Sequence, residues 1–114
     1  KEYEKFFSVP VETVGSNAGW LAFPLLIKPE APFSRKELQI FLEKNLVQTR
    51  VVFTGNIIRQ PMLKGQKFRV ISSGCPNSDN IMRNGVLLPL HHGLTEEMLE
   101  RFRSVVTKFI DTYI

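Results

Sequence analysis

One cysteine, Cys75, stands among 114 residues. A disulfide framework within the chain is therefore excluded, and a reducing compartment is the default expectation. No run of 18 apolar residues occurs, so no membrane-spanning helix is expected. The opening Lys1-Glu2-Tyr3-Glu4-Lys5 lacks the charged-then-apolar layout of a secretory signal. It also lacks an initiator Met, as expected of a piece of a longer chain. Neither standard Gly-rich phosphate loop is found, nor a Cys pair spaced for zinc, nor a His-Glu-x-x-His motif. With none of these, any chemistry is expected to be completed outside these residues.

What is present suits a single folded domain. Hydrophobic residues make up 43% and nine are Phe, which is enough to build one core at this length without disulfides or metals. The net charge of +4 and pI near 9.5 leave a nucleic-acid module open on charge alone. The basic residues are scattered, however, and no aromatic residues interleave with a basic stripe on a strand, so no nucleic-acid partner is expected. A cationic pocket for an anionic small molecule fits the same charge.

Along the chain, Tyr3, Phe6 and Phe7 recur at helical spacing until Pro10 and Gly15-Ser16-Asn17 break the pattern. Residues 1–16 read as a lead-in segment and 17–114 as the domain. Trp20 to Ile27 reads as a buried strand, with Pro24 marking an edge or a bulge. Ser34-Arg35-Lys36-Glu37 is a capping box, and Leu38, Phe41 and Leu42 give the helix behind it one apolar face. Asn45 suits its C-cap. Val47 to Phe53 alternates as a strand and ends at Gly55-Asn56. A helical turn at Ile57 to Gln60 stops at Pro61, Phe68 to Ser72 reads as a short strand, and Pro76 to Asn84 as a short helix closed by Gly85. Val86 to Leu90 forms a further strand. Thr95 caps the last helix, with Leu94 and Leu99 as a hydrophobic staple; Leu99, Phe102, Val106, Phe109 and Tyr113 run down one face. The order predicts a two-layer α+β domain, a small sheet covered by helices.

Few residues carry chemistry. His91 and His92 are adjacent at a strand-to-helix junction; on extended backbone they point to opposite sides, which reads as a solvated loop rather than a metal site. Cys75 has no His/Asn pattern around it and reads as incidental. The unusual stretch is Thr49 to Pro61. Arg50 lies among apolar strand residues, and Asn56 and Arg59 follow a Gly hinge. Two guanidinium groups and an amide at a strand end can bind a carboxylate or phosphate. An Arg snorkelling from the sheet beside an Arg on a surface turn explains the same residues equally well.

The pattern Thr49-Arg50-x-x-Phe53-x-Gly55-Asn56-x-x-Arg59-Gln60-Pro61 resembles the small-domain segment of the CDP-4-keto-6-deoxyglucose 3-dehydrases, in the DegT-type sugar aminotransferase family. Trp20 to Pro24, Phe33 to Leu38 and Leu88 to Glu97 resemble other parts of that domain, although Gly19, Leu21 and Ala22 stand where the family strand carries Ser, Phe and Gly. The resemblance covers nearly all of residues 17–114. It implies the carboxy-terminal small domain of the aspartate aminotransferase fold. The parent enzyme would hold pyridoxal or pyridoxamine phosphate mainly in a preceding large domain and act on a nucleotide-sugar in deoxysugar and lipopolysaccharide synthesis. In the aminotransferases a lysine holds the cofactor covalently; in the 3-dehydrases a histidine replaces it. Neither is among these residues, and neither His91 nor His92 is that histidine. Any iron–sulfur ligands also lie elsewhere, because Cys75 alone cannot hold a cluster. The resemblance further implies a cytoplasmic homodimer with a reductase partner, and no turnover from these residues alone. It makes Arg50, Asn56 and Arg59 the expected substrate contacts: an arginine for an anionic group, Asn56 for a sugar hydroxyl or ketone. A sugar aminotransferase of the same family and a non-catalytic binding module of the same fold are the alternatives.

Overall fold

Ser34 starts the first helix as its spacing predicts. In the computed structural model, its side chain accepts from the Glu37 N–H while the Glu37 carboxylate accepts from the Ser34 N–H at 2.7 Å, so two otherwise unpaired donors are satisfied together. Helix α1 (Arg35–Lys44) buries Leu38 and Leu42 and ends at Asn45, whose Nδ2 donates to the Phe41 carbonyl. The structure describes residues 3–72 and 74–114; Lys1 and Glu2, at the start of the lead-in segment, lie outside the described residues.

Among the described residues, strands β1 (Phe7–Ser8), β2 (Phe23–Ile27), β3 (Arg50–Val51) and β4 (Gly85–Leu88) form one sheet in the order β1-β2-β4-β3. Every neighbouring pair is antiparallel. Helix α2 (Pro76–Asn84) runs directly into β4, and α3 (Glu96–Ile110) returns along α1. The expected α+β architecture is therefore present.

Its boundaries differ from the sequence expectations in instructive places. Phe6 and Phe7 lie in a turn and β1 rather than a helix, with both rings buried. β2 is interior in the sheet order, not an edge. Pro24 is tolerated because the Lys28 N–H donates to the Phe6 carbonyl. By the strand's period of two, the nitrogen of Pro24 faces the same side, beyond the point where β1 ends at Ser8. The strand expected over 47–53 narrows to Arg50–Val51: the Val47 N–H donates to the Leu42 carbonyl and the Thr49 N–H to the Glu43 carboxylate of α1, and Phe53 takes a positive φ of 46° at the other end. No strand forms over 68–72, where Phe68 and Ile71 stay exposed and pair with no strand among the described residues.

The helices cover one face of the sheet. Val86 and Leu88 of β4, with Phe23, Leu25 and Ile27 of β2, point toward α1 and α3. Phe33 is the centre of this layer, with ring centroids 5.6 Å from Phe6, 4.8 Å from Phe109 and 5.2 Å from Tyr113. On α3 the buried residues are Val105, Val106, Phe109 and Ile110. Leu99, expected on the buried face, is 45% exposed, so the stripe expected from Leu99 onward starts lower and is wider.

Phe33→Ala is expected to destabilise the chain by about 3–5 kcal/mol, because it removes a ring shared by several others and leaves a cavity. Urea unfolding followed by circular dichroism measures this. A loss below about 1 kcal/mol would remove Phe33 from the centre of the core.

Candidate functional site

The other face of the sheet is open. In register across it lie Pro24, Leu87 and Arg50. Their alternation with the buried residues turns them away from α1 and α3. Together with Trp20, Phe53 and His91 they line a shallow, mainly apolar cavity of about 790 Å³. Arg50 is exposed there and makes no hydrogen bond or ion pair among the described residues.

Asn56 and Arg59 meet at a different point, the carboxylate of Asp79 on α2. Asn56 Nδ2 donates to Asp79 Oδ1 at 2.8 Å, and Arg59 donates through Nε to Oδ1 and through Nη2 to Oδ2 at 2.6 Å. This two-pronged pair, with a third donor on the same carboxylate, is the strong form of ionic hydrogen bonding. The Arg59 hydrogen bonds, and then that of Asn56, hold the Asp79 carboxyl well below the usual carboxylate range. The same hydrogen bond raises the affinity of the Arg59 guanidinium for its proton. Asn56 is 1% exposed, and its Oδ1 also accepts from the Ile58 N–H, capping the 3₁₀ turn Ile57–Arg59. Of the three residues singled out by sequence, the fold thus joins Asn56 and Arg59 and places Arg50 apart, on the open face.

The rest of the motif explains how the two places are connected. The Gly55 N–H closes a turn onto the Val52 carbonyl. Gly55 has φ 62°, and a Cβ there would lie 2.5 Å from Met82 Cβ, so only glycine lets the turn sit against α2. Met82 and Asp79 are one helical turn apart, and both grip this loop. Gln60 Nε2 donates back to the Thr54 carbonyl at 2.7 Å, and Pro61 opens a second 3₁₀ turn, Pro61–Leu63. At the front of the motif, Thr49 donates its hydroxyl to Glu43 at 2.9 Å. Arg35 of α1 binds the Met82 carbonyl at 2.7 Å, tying α2 to the helix layer. Phe53 is what this frame presents: it lines the open cavity while 79% exposed.

His91 also belongs to the cavity wall, although the sequence reading set it aside. Its Nδ1 accepts from the Gly93 N–H at 3.1 Å, so a neutral ring carries its proton on Nε2. His92 shares no such bond among the described residues. Trp20 and Phe53 were also missed as site residues, since aromatic type alone does not separate a wall of a cavity from a core. Cys75 stands at the N-cap position of α2 without a side-chain cap bond. No group of three or more His, Cys, Asp or Glu side chains gathers for a metal among the described residues, and no helix there is long and apolar enough to cross a membrane.

Comparison with known proteins gives this geometry its setting. The DegT/DnrJ/EryC1/StrS aminotransferase family matches residues 1–108. The chain is 36% identical to the lipopolysaccharide biosynthesis protein RfbH of Salmonella typhimurium over 92% of its length and 23% of that protein's. It is 30% identical to a dTDP-4-dehydro-2,6-dideoxy-D-glucose 3-dehydratase of Saccharopolyspora spinosa over 90% of its length and 22% of that protein's. The chain thus spans under a quarter of the relatives it matches. The fold matches E. coli GDP-4-keto-6-deoxy-D-mannose-3-dehydratase with bound hydrated PLP at a TM-score of 0.76, over 91% of this chain and 26% of that one, at 24% identity.

The Asp79 pair makes stability depend on pH. Its carboxyl is more acidic folded than unfolded, so it stabilises the fold above the ordinary carboxylate pKa of about 4, and that stabilisation is lost as pH falls below it. Thermal unfolding midpoints are expected to fall as pH drops from about 4 to 2. Asp79→Asn is expected to lower the midpoint at pH 7 and flatten that acid decline. An acid decline as steep in the variant would mean that other carboxylates carry it.

Proposed function

The chain belongs to the DegT/DnrJ/EryC1/StrS aminotransferase family, and from that premise we propose that it is the carboxy-terminal small domain of a sugar-nucleotide 3-dehydrase. The parent enzyme removes the 3-hydroxyl of a nucleotide-linked 4-keto-6-deoxyhexose, CDP-linked by the resemblance of residues 49–61, in deoxysugar and lipopolysaccharide synthesis. The observation that carries this reading is the open face: an unpaired Arg50 among apolar residues makes one wall of a binding site, not a complete one. Similarity over 90% of the chain to a protein named as a 3-dehydratase supports the reaction class.

Pyridoxal phosphate does not fit these residues alone. The cavity is lined by no lysine, and no cradle of donors for its phosphate gathers among the described residues. The cofactor, which supplies the electron sink for sugar chemistry when bound, therefore belongs in this reading to another part of the enzyme. The residues here bind, orient and exclude water. Arg50 supplies the direct contact to an anionic group of the substrate. Asn56 and Arg59 are positioning residues, acting through Asp79 to set the turn that borders the face. The homodimer, the reductase partner, the cytoplasmic setting and any iron–sulfur cluster go with this reading and involve residues outside the chain.

A sugar aminotransferase is the second reading, favoured by the family match itself. Borohydride treatment of the full-length protein with bound cofactor separates the two. Cofactor that stays removable indicates the 3-dehydrase; cofactor fixed covalently indicates the aminotransferase; no cofactor binding defeats both. In the full-length enzyme, Arg50→Ala is expected to raise KM for the nucleotide-sugar about tenfold or more, the usual loss of a hydrogen-bonded ionic contact. Steady-state kinetics with unchanged KM and kcat would remove Arg50 from the site.

A further inference from the structure

Phe53 stands where the backbone calls for glycine. The turn Val52-Phe53-Thr54-Gly55 is closed by the Gly55 N–H on the Val52 carbonyl at 2.9 Å, and Phe53 takes φ 46° while Thr54 is not among the residues of positive φ. Positive φ at the first central position only is the sign pattern of a type II′ turn, whose usual residue there is Gly. For a bulky residue this is a true outlier. Burial does not compensate, because Phe53 remains 79% exposed. The conformation is instead imposed from behind, by Gly55 against Met82 and by Asn56 and Arg59 on Asp79. Strain held in place by its surroundings, at a residue bordering a cavity, is grounds for assigning the side chain a task.

The cavity indicates the task. Phe53 and Trp20, the latter 38% exposed, offer aromatic surface to the same space as the unpaired Arg50. No Asp or Glu is among the residues that line the cavity, and Arg50 is the one Lys or Arg there. No Asp or Glu occurs between Glu43 and Asp79, an interval that holds Lys44, Arg50, Arg59, Lys64, Lys67 and Arg69. The two acids that bound it are engaged, Glu43 with Thr49 and Asp79 with Asn56 and Arg59. An aromatic face beside a lone guanidinium, in a cavity lined by no carboxylate, matches a ligand that carries a flat ring next to an anion.

We propose that Phe53 is a substrate-binding residue that stacks on the base of a nucleoside diphosphate held by Arg50. The inference rests on the nucleotide-sugar reading and names the part of that substrate the face receives. Stacking tolerates any base, since each has a π-face, so the choice among bases falls to other groups.

The test measures binding of CDP, dTDP, GDP and inorganic pyrophosphate to the full-length protein by calorimetry, for the unaltered chain and for Phe53→Ala, Phe53→Tyr and Phe53→Gly. Phe53→Ala is expected to weaken the nucleoside diphosphate that binds by about 5- to 150-fold, the range for losing one base–aromatic stack, with pyrophosphate affinity unchanged. Phe53→Tyr is expected to restore binding. Phe53→Gly is expected to lose affinity as Ala does yet melt at or above the unaltered protein, because glycine adopts φ 46° without strain. A merely structural Phe53 would give the reverse, lowered melting without selective loss of the base. Nucleotide affinity that survives Phe53→Ala overturns this inference and leaves the nucleotide-sugar reading intact. An unaltered protein that binds none of the three nucleotides overturns both.

Discussion

The alternation of β4 decides what each side of this domain does. Val86 and Leu88 face the helices and Leu87 faces away, a consequence of the two-residue period of extended backbone. As β4 lies between β2 and β3, its register fixes theirs, and Pro24, Leu87 and Arg50 fall in one row on the open face. A one-residue slip would send Arg50 into the aromatic layer and expose Phe23 and Leu25. Gly85 secures the register at its origin: a Cβ there would come within 2.6 Å of the Ile81 carbonyl and 2.8 Å of Val52. Helix α2, strand β4 and the end of β3 are thus packed against one another through a single glycine.

From that junction the 52–61 loop inherits its rigidity. Two residues of α2 hold it, Met82 by contact and Asp79 by charge-assisted hydrogen bonds. The carboxylate is only partly accessible, at 17%. Its three N–H donors come from two residues of one turn, so the bonds fasten that turn to α2 as a unit. Such a network is effective at maintaining an unfavourable backbone conformation, because relaxing the turn would require giving up several bonds together. The helix pair on the far side, tied to α2 by Arg35 at the Met82 carbonyl, completes the support.

The sequence revealed the elements whose signals are local. Ser34 and Glu37 marked the start of α1, Thr95 that of α3, and the spacing of Leu38, Phe41 and Leu42 and of Phe102, Val106, Phe109 and Tyr113 supplied much of the core. It misled where the tertiary setting overrides local preference. Val47 to Phe53 alternates as a strand throughout, yet only two residues pair, because the bonds of Val47 and Thr49 to α1 and the turn at Phe53 cut the alternating run short. Phe68 to Ser72 has strand composition, but it pairs with no strand among the described residues. The motif of residues 49–61 was legible as unusual, and its arginines as chemically apt. That Asn56 and Arg59 converge on Asp79 was not, because the partner lies 20 and 23 residues away and no spacing rule connects a loop to a helix at that distance.

A face of this kind binds weakly while open to water. Two unit charges 4 Å apart attract by about 1 kcal/mol in bulk water, and by about 4 kcal/mol at the effective dielectric of a protein surface. Under the proposed function, Arg50 therefore becomes a strong anchor only when a second wall displaces solvent from the cavity. The same holds for the exposed Phe53 and Trp20, whose apolar surface contributes in proportion to the area taken out of water. In that reading, recognition groups carried on an uncovered sheet make affinity conditional on closure. Binding and the exclusion of water would then occur in one event, so that a substrate of the proposed enzyme is held firmly only in the arrangement in which its chemistry is shielded from solvent.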